Sequence, residues 1–214
     1  MRATDGPLNG RRGEAARNDG RILDAAREVF LIDPGAPVAA VANRAGVGIS
    51  ALYRRYDNKE DLLRELARDA LTRYIGDLQA ALADDRDPWT VYREYLIRVV
   101  DGGSQALAQR LAGTFTPTPD LGELAAQAQT LAEQVHRRAQ QQNVLRSDVT
   151  SADIVLITEM IMTVGAPGTG DGAALRRRYV SLILQALPAP GAGPIPGPAA
   201  RPSDLAARWQ RRGG

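Results

Sequence analysis

The 214-residue chain has no cysteine, which excludes disulfides and thiol chemistry. It has two Phe and two Trp, so any core must be built mainly from Leu, Ala, Val and Ile. The apolar fraction, 44%, is ordinary for a globular protein and sufficient for such a core. No run of about 18 apolar residues is present, so no helix is expected to span a membrane. Residues 1–18 lack the apolar stretch of a signal peptide, and the chain reads as cytoplasmic. No apolar/polar alternation is long enough to mark a strand. The single histidine, His136, lies between "LAEQV" and "RRAQQQ" on a polar helix and reads as a solvated side chain rather than a base or a metal ligand. There is one Lys, Lys59, among 27 basic residues, and the net charge of +2 by itself says little about a nucleic-acid partner.

What is present is helical periodicity between two irregular ends. Residues 1–18 carry Gly, Pro, Asn and scattered charge and read as a disordered arm. Residues 188–214 begin "PAPGAGPIPGPAARPS" and read as a Pro/Gly-rich disordered tail, with "DLAARWQRRGG" able to form a short helical turn. Ile22, Ala25, Ala26, Val29 and Phe30 make one apolar stripe, ended by "DPG" at 33–35. Pro37 suits the start of a short helix carrying Val38, Val41 and Ala45. Asn58 is a good N-cap, with Glu60 and Asp61 in the first turn of a helix to about residue 83. Further helices are expected at about 88–101, 103–114, 120–143, 151–165 and 172–187, with starts at Asp120 and at Thr150 or Ser151.

The stretch "RAGVGISALYRRYDNKEDLL", residues 44–63, has the parts of a helix-turn-helix. Gly46 tolerates the left-handed turn, Ala42 and Ala45 allow close approach, and Val47 and Leu52 can wedge the crossing. A second helix over about 48–55 would turn Gly48, Ile49, Ser50, Ala51, Tyr53 and Arg54 outward, a surface without an acid. Ile49 could meet a thymine methyl, Arg54 guanine or phosphate, and Tyr53 a phosphate oxygen. Lys59, at the next helix start, adds its charge to the helix N-terminus as a phosphate anchor. Tyr56 is expected in the core.

Residues 21–63 resemble the DNA-binding domain of the TetR/AcrR transcriptional regulators, through "ILDAA", "AGVG", "LYRRY" and "NKEDLL" in order and spacing. The resemblance implies an all-α fold: an N-terminal helix-turn-helix domain (residues 19–65) and a larger C-terminal helical bundle (66–187) that dimerises and binds a ligand. It also implies a homodimeric repressor, released from a double-stranded DNA operator by a small-molecule effector, without a cofactor. Position by position it carries DNA contact to Gly48, Ile49, Ser50, Ala51, Tyr53, Arg54 and Lys59, and a less regular phosphate contact to Arg44. The chain departs from the family at Pro37 and Gly48, where Ser or Thr is frequent, and at Ile49, where a basic residue is frequent. Those departures bear on the operator sequence, not on the fold.

Residues 84–187 resemble the effector-binding halves of one branch of that family, with SbtR-like C-terminal domains. Two late helices have strong apolar faces, and Ile157, Ile161, Tyr179, Val180, Ile183, Leu184 and Leu187 are candidates for a four-helix dimer interface. Trp89, Tyr92, Tyr95, Phe115, Thr158 and Met162 are candidates for lining an effector pocket among the middle helices. Thr158, Glu159 and Thr163 could hydrogen-bond an effector or face solvent. Two other classes fit less well. An enzyme would need reactive groups that the chain lacks: no cysteine, one unsupported histidine, no complete metal or phosphate motif. The sequence "GAPGTGDG" at 165–172 has P-loop glycine spacing but Asp171 where the phosphate-binding Lys belongs, and reads as a flexible loop. A helical adaptor would have no need of an acid-free reading surface.

Overall fold

The computed structural model describes residues 8–165, 171–189 and 193–205. Among them are α1 (Leu8–Ile32), α2 (Val38–Ala45), α3 (Ile49–Tyr53), α4 (Lys59–Ala83), α5 (Pro88–Gly102), α6 (Ser104–Leu111), α7 (Pro119–Gln141), α8 (Ser151–Met162) and α9 (Gly172–Ala186). No strand occurs among the described residues, and one isolated bridge pairs Leu145 with Pro188. No described helix is long and apolar enough to cross a membrane. The fold is thus helical throughout, as the periodicity predicts.

The chain divides within α4 into two compact units, Met1–Leu66 and Ala67–Gly214. The division lies one residue past the boundary expected from the sequence. In the first unit Ile22, Ala26, Phe30, Val41, Leu52, Leu62 and Leu66 are almost wholly removed from solvent. Full burial of each such side chain stabilises by about 1.5–3 kcal/mol. α1 begins at Leu8, inside the segment read as a disordered arm. That segment's helical backbone could not be read from a pattern without apolar period. The arm's first seven residues lie outside the described residues.

Helix ends follow local chemistry. Asn58 Oδ1 accepts from Asp61 N at 2.9 Å and caps α4. Asp87 caps α5 through Thr90 N, with Pro88 behind it. Thr150, not Ser151, caps α8 in a reciprocal box with Asp153. α7 starts at Pro119 after Thr118, not at Asp120, because proline at the first helical position gives up no needed donor.

The second unit has a core with a hydrogen-bonded polar interior. Tyr74 and Tyr95 share a 3.1 Å hydroxyl contact, and burial pushes the Tyr74 hydroxyl up to about 12. Thr158 donates to Gln105 Oε1 at 2.7 Å. His136 is only 6% exposed, not solvated as its polar flanks suggest. Its Nε2 lies 2.7 Å from the Val149 carbonyl, which can only accept, so Nε2 carries the proton. Nδ1, 3.0 Å from the Tyr92 hydroxyl, is then the acceptor. The flanks misled because a helix at the edge of a bundle buries one residue per turn whatever its neighbours are.

Burial lowers the His136 pKa, opposed only in part by Val149 and Asp153. As pH falls below about 6.5, the unfolded chain therefore binds a proton that the folded chain resists. The His136 contribution is complete above that pH and is lost progressively toward the lowered folded value. Thermal unfolding should shift down between about pH 7 and 5 more steeply than in His136→Gln, which keeps a donor for Val149 but does not titrate. Equal slopes would mean that His136 does not govern this window.

The tail also differs from the expectation of disorder where it is described. Ile195 N donates to Asp148 Oδ2 at 3.0 Å and Ala200 N to Asp153 Oδ1 at 2.8 Å. Residues 202–205 are helical and overlap the segment expected to form a turn, 204–214, only at Asp204 and Leu205. Proline-rich composition removes helix but not order, since a chain with few N–H groups can lie along a surface that meets the few it has. Residues 190–192 and 206–214 of the tail, and 166–170 of the glycine loop, lie outside the described residues.

Candidate nucleic-acid interface

α2 ends at Gly46, whose φ of 64° and ψ of 37° are left-handed, and its N–H closes back on the carbonyls of Ala42 and Asn43. Arg21 Nη2 donates to the Ala45 carbonyl at 2.7 Å, placing a cation at the end of α2. A Cβ at position 46 would stand 3.0 Å from that guanidinium, a second reason for glycine there. Arg21 is a part of the turn that the sequence reading missed. Its only signal was a basic residue immediately before the α1 apolar stripe, which is too common to single out.

α3 has five residues and a single buried one, Leu52, at 1% exposure. Val47 is half-buried in the turn, and Tyr56 is buried as expected. With Leu52 inward, the candidate reading residues face out. Gly48 forms the N-cap, Ile49 is 40% and Tyr53 49% exposed, Ser50 and Arg54 are exposed, and Ala51 is half-buried. From Arg44 to Tyr56 there is no acidic residue. Neither Pro37 nor Gly48 supplies a side-chain cap, so the departures from Ser or Thr leave α2 and α3 without a hydroxyl at their starts.

The basic groups are not equivalent. The Arg54 side chain has no hydrogen bond or ion pair among the described residues. Arg55 is paired with Asp19 at 3.0 Å and lies over the Tyr56 ring. Arg44 forms an exposed ion pair with Glu28. Such a pair is worth little in water and can be exchanged for a phosphate. Lys59 is half-buried, its ammonium 3.0 Å from the Gly35 carbonyl, 2.7 Å from that of Ala36 and over the Phe30 ring. It therefore ties the turn after α1 to the start of α4 and keeps one of three N–H donors to offer.

The second unit contains a cavity of about 290 Å³. Leu71, Ala125, Ala128, Val155, Gln109 and Glu133 are among its walls. None of the six sequence candidates lines this cavity: Tyr92, Tyr95 and Thr158 are buried and line a much smaller cavity beside it, Phe115 is buried, and Trp89 and Met162 are half-buried. Aromatic side chains drew attention by size, whereas space is left where α7 presents alanine. The dimer candidates differ in their exposure. Ile161, Val180, Leu184 and Leu187 are buried within the single chain, and Ile157 and Ile183 are half-buried. Of the seven only Tyr179 is exposed, and the outer apolar stripe of α9 is Leu175, Tyr179 and Leu182. No cluster of metal-ligating side chains occurs among the described residues.

Residues 22–66, the unit just described, match the family of bacterial regulatory proteins known as the tetR family. The reading unit is that of the TetR family. The 45 matched residues fall in the reading unit, and the resemblance seen in the sequence is thereby confirmed for that unit. The HTH-type transcriptional repressor LfrR of Mycolicibacterium smegmatis is 40% identical over 76 residues, which are 36% of this chain and 38% of that protein. The match thus spans well under half of that repressor's length. Among solved structures, a TetR transcriptional regulator of Streptomyces coelicolor aligns with a TM-score of 0.54 at 24% identity, over 81% of this chain and 99% of that one. CprB, a TetR family protein of S. coelicolor, aligns at 0.54 and 19%, over 93% and 99%. A TetR regulatory protein of Mycobacterium vanbaalenii gives 0.51 and 23%, over 83% and 98%. At these identities the three structures establish a shared helical fold.

Proposed function

We infer that this TetR-family chain is a homodimeric, sequence-specific repressor that leaves its operator when a small molecule occupies the second unit. The observation that carries the reading is the outward face of α3: exposed, free of acid, and bearing an unpaired Arg54 beside Tyr53, Ser50 and Ile49. Arg54 reads guanine or phosphate, Tyr53 and Ser50 bind phosphate oxygens, and Ile49 contacts a thymine methyl. Arg44 and Lys59 hold the backbone. Dimerisation through the exposed stripe Leu175, Tyr179 and Leu182 would bring two such faces to successive major grooves, about 34–36 Å apart or a multiple. LfrR is named a repressor, and a binding protein rather than an enzyme is the reading its name favours. Such a protein works where the chromosome is, in the cytoplasm.

Release follows from linkage. An effector that prefers a conformer with wrongly spaced reading faces weakens DNA binding by the same factor as DNA weakens effector binding. Fluorescence anisotropy on duplexes from the gene's own upstream region tests the reading. Affinity for one fragment should exceed that for random duplex, and log K should fall linearly with log salt, by about 0.9 per phosphate neutralised. Equal and salt-insensitive binding to every duplex would overturn it.

A further inference from the structure

The cavity of the second unit has one wall supplied by the tail. Pro202 and Leu205 line it, beside residues of α4, α6, α7 and α8. The path of the tail to that place is fastened at intervals along residues 144–153. Ala189 N donates to Val144 O at 3.3 Å, and Arg146 Nη2 to Gly193 O at 2.5 Å. Ile195 N meets Asp148 Oδ2, whose carboxylate Arg146 grips in a fork. Thr150 Oγ1 donates to Ala200 O at 2.8 Å, and Ala200 N donates to Asp153 Oδ1. Each fastening uses a backbone group of the tail, so the tail docks by register rather than by an apolar face of its own. These bonds are few and exposed or only partly buried, which places the tail at the low-stability end of the domain.

The remaining walls select chemistry. They are mostly alanine, leucine, valine and proline, and the charged residue among them is Glu133. Among the described residues no arginine, lysine or histidine lines the cavity. Gln109 Oε1 is buried there with no hydrogen-bond partner among the described residues, an acceptor open to a donor. An anion placed here would be desolvated beside a carboxylate, with no cation among the described wall residues to neutralise it.

We propose that residues 194–205 are a lid over this cavity, and that the cavity takes a compact apolar molecule, neutral or cationic, whose N–H or O–H donates to Gln109 Oε1. This rests on reading the second unit as effector-binding. The lid must lift for the ligand to enter, so the tail sets the rate of exchange.

N-phenylnaphthylamine, neutral with one N–H, and anilinonaphthalene sulfonate, the same skeleton with an anionic group, are a matched pair of fluorescent probes. The neutral probe should bind the full chain at least about tenfold tighter than the sulfonate, given the cost of burying an unpaired anion. Leu205→Asp in the full chain should weaken the neutral probe about tenfold or more for the same reason. Gln109→Leu should weaken it by a smaller factor while leaving the thermal midpoint unlowered, since the lost acceptor is replaced by an apolar group. A chain ending at Gly193 should release the probe faster by about tenfold or more in stopped flow. If that chain does not fold, the Leu205→Asp comparison decides the lid.

No binding of the neutral probe, or equal binding of the sulfonate, would overturn the ligand class. Unchanged affinity in Leu205→Asp, with an unchanged release rate on removing the tail, would overturn the lid. Operator affinity is read separately. Probe binding that follows these rules with no effect on operator affinity leaves the lid standing and removes the effector reading. Release of operator by the probe with a release rate indifferent to the tail does the reverse.

Discussion

Leu52→Ala should abolish operator binding at protein concentrations where the native chain saturates, although Leu52 faces away from any DNA. Five residues are far too few to hold a helix by their own hydrogen bonds, for which about 12–15 are marginal. α3 therefore owes its place to its one buried side chain, whose carbonyl also accepts from Arg55 N and Tyr56 N at the helix end. Truncation removes about 2–5 kcal/mol, a large part of the roughly 5–15 kcal/mol that holds a domain folded. Leu52→Met, which keeps the volume, should cost less than about 1.5 kcal/mol and retain binding. Urea unfolding with anisotropy on the same samples checks both. A Leu52→Ala chain with native stability and native affinity would show that α3 is held by something other than its wedge.

Arg54→Ala and Lys59→Ala should fail in different ways. The Arg54 side chain makes no hydrogen bond or ion pair among the described residues, so its loss should leave the unfolding midpoint in place. It should cost about 1–3 kcal/mol of binding per half-site, with selectivity among fragments relaxed at the base it reads. Lys59 serves the fold as well. Its removal strands the Gly35 and Ala36 carbonyls and bares the Phe30 ring, so the midpoint should fall, by about 1–3 kcal/mol for the unmet partners. Binding should weaken uniformly over all fragments, with the salt slope shallower by about one per lysine lost. A lowered midpoint with an untouched salt slope would make Lys59 a structural residue alone. An Arg54→Ala chain as selective as the native one would remove Arg54 from base reading.

Much of the reading unit was legible because its signals are local. A glycine needing the left-handed region, two alanines at the crossing, a leucine three residues into the next helix and an asparagine cap each act within a few residues of themselves. Distant partners were not legible. Arg21 at the end of α2, Glu28 on Arg44 and the carbonyls under Lys59 lie 16 to 24 positions away in sequence, and nothing in the chain's order marks them.

In the second unit the sequence alone determined that there would be helices, nearly where they are, and which of their residues are apolar. It did not determine which apolar stripe faces inward. α9 carries two, Val180, Leu184 and Leu187 on one side and Leu175, Tyr179 and Leu182 on another, with the same spacing of three and four. Periodicity is blind to the choice between them, because it measures an angle around one helix and not what stands opposite. The packing of α9 on α5, with Arg177 holding Asp101 at 2.8 and 2.9 Å, buried the first and left the second to water. The cavity arose the same way. Empty space is a property of how several surfaces fail to meet, and the small side chains of α7 leave room only where Pro202 and Leu205 of a distant tail come to close it.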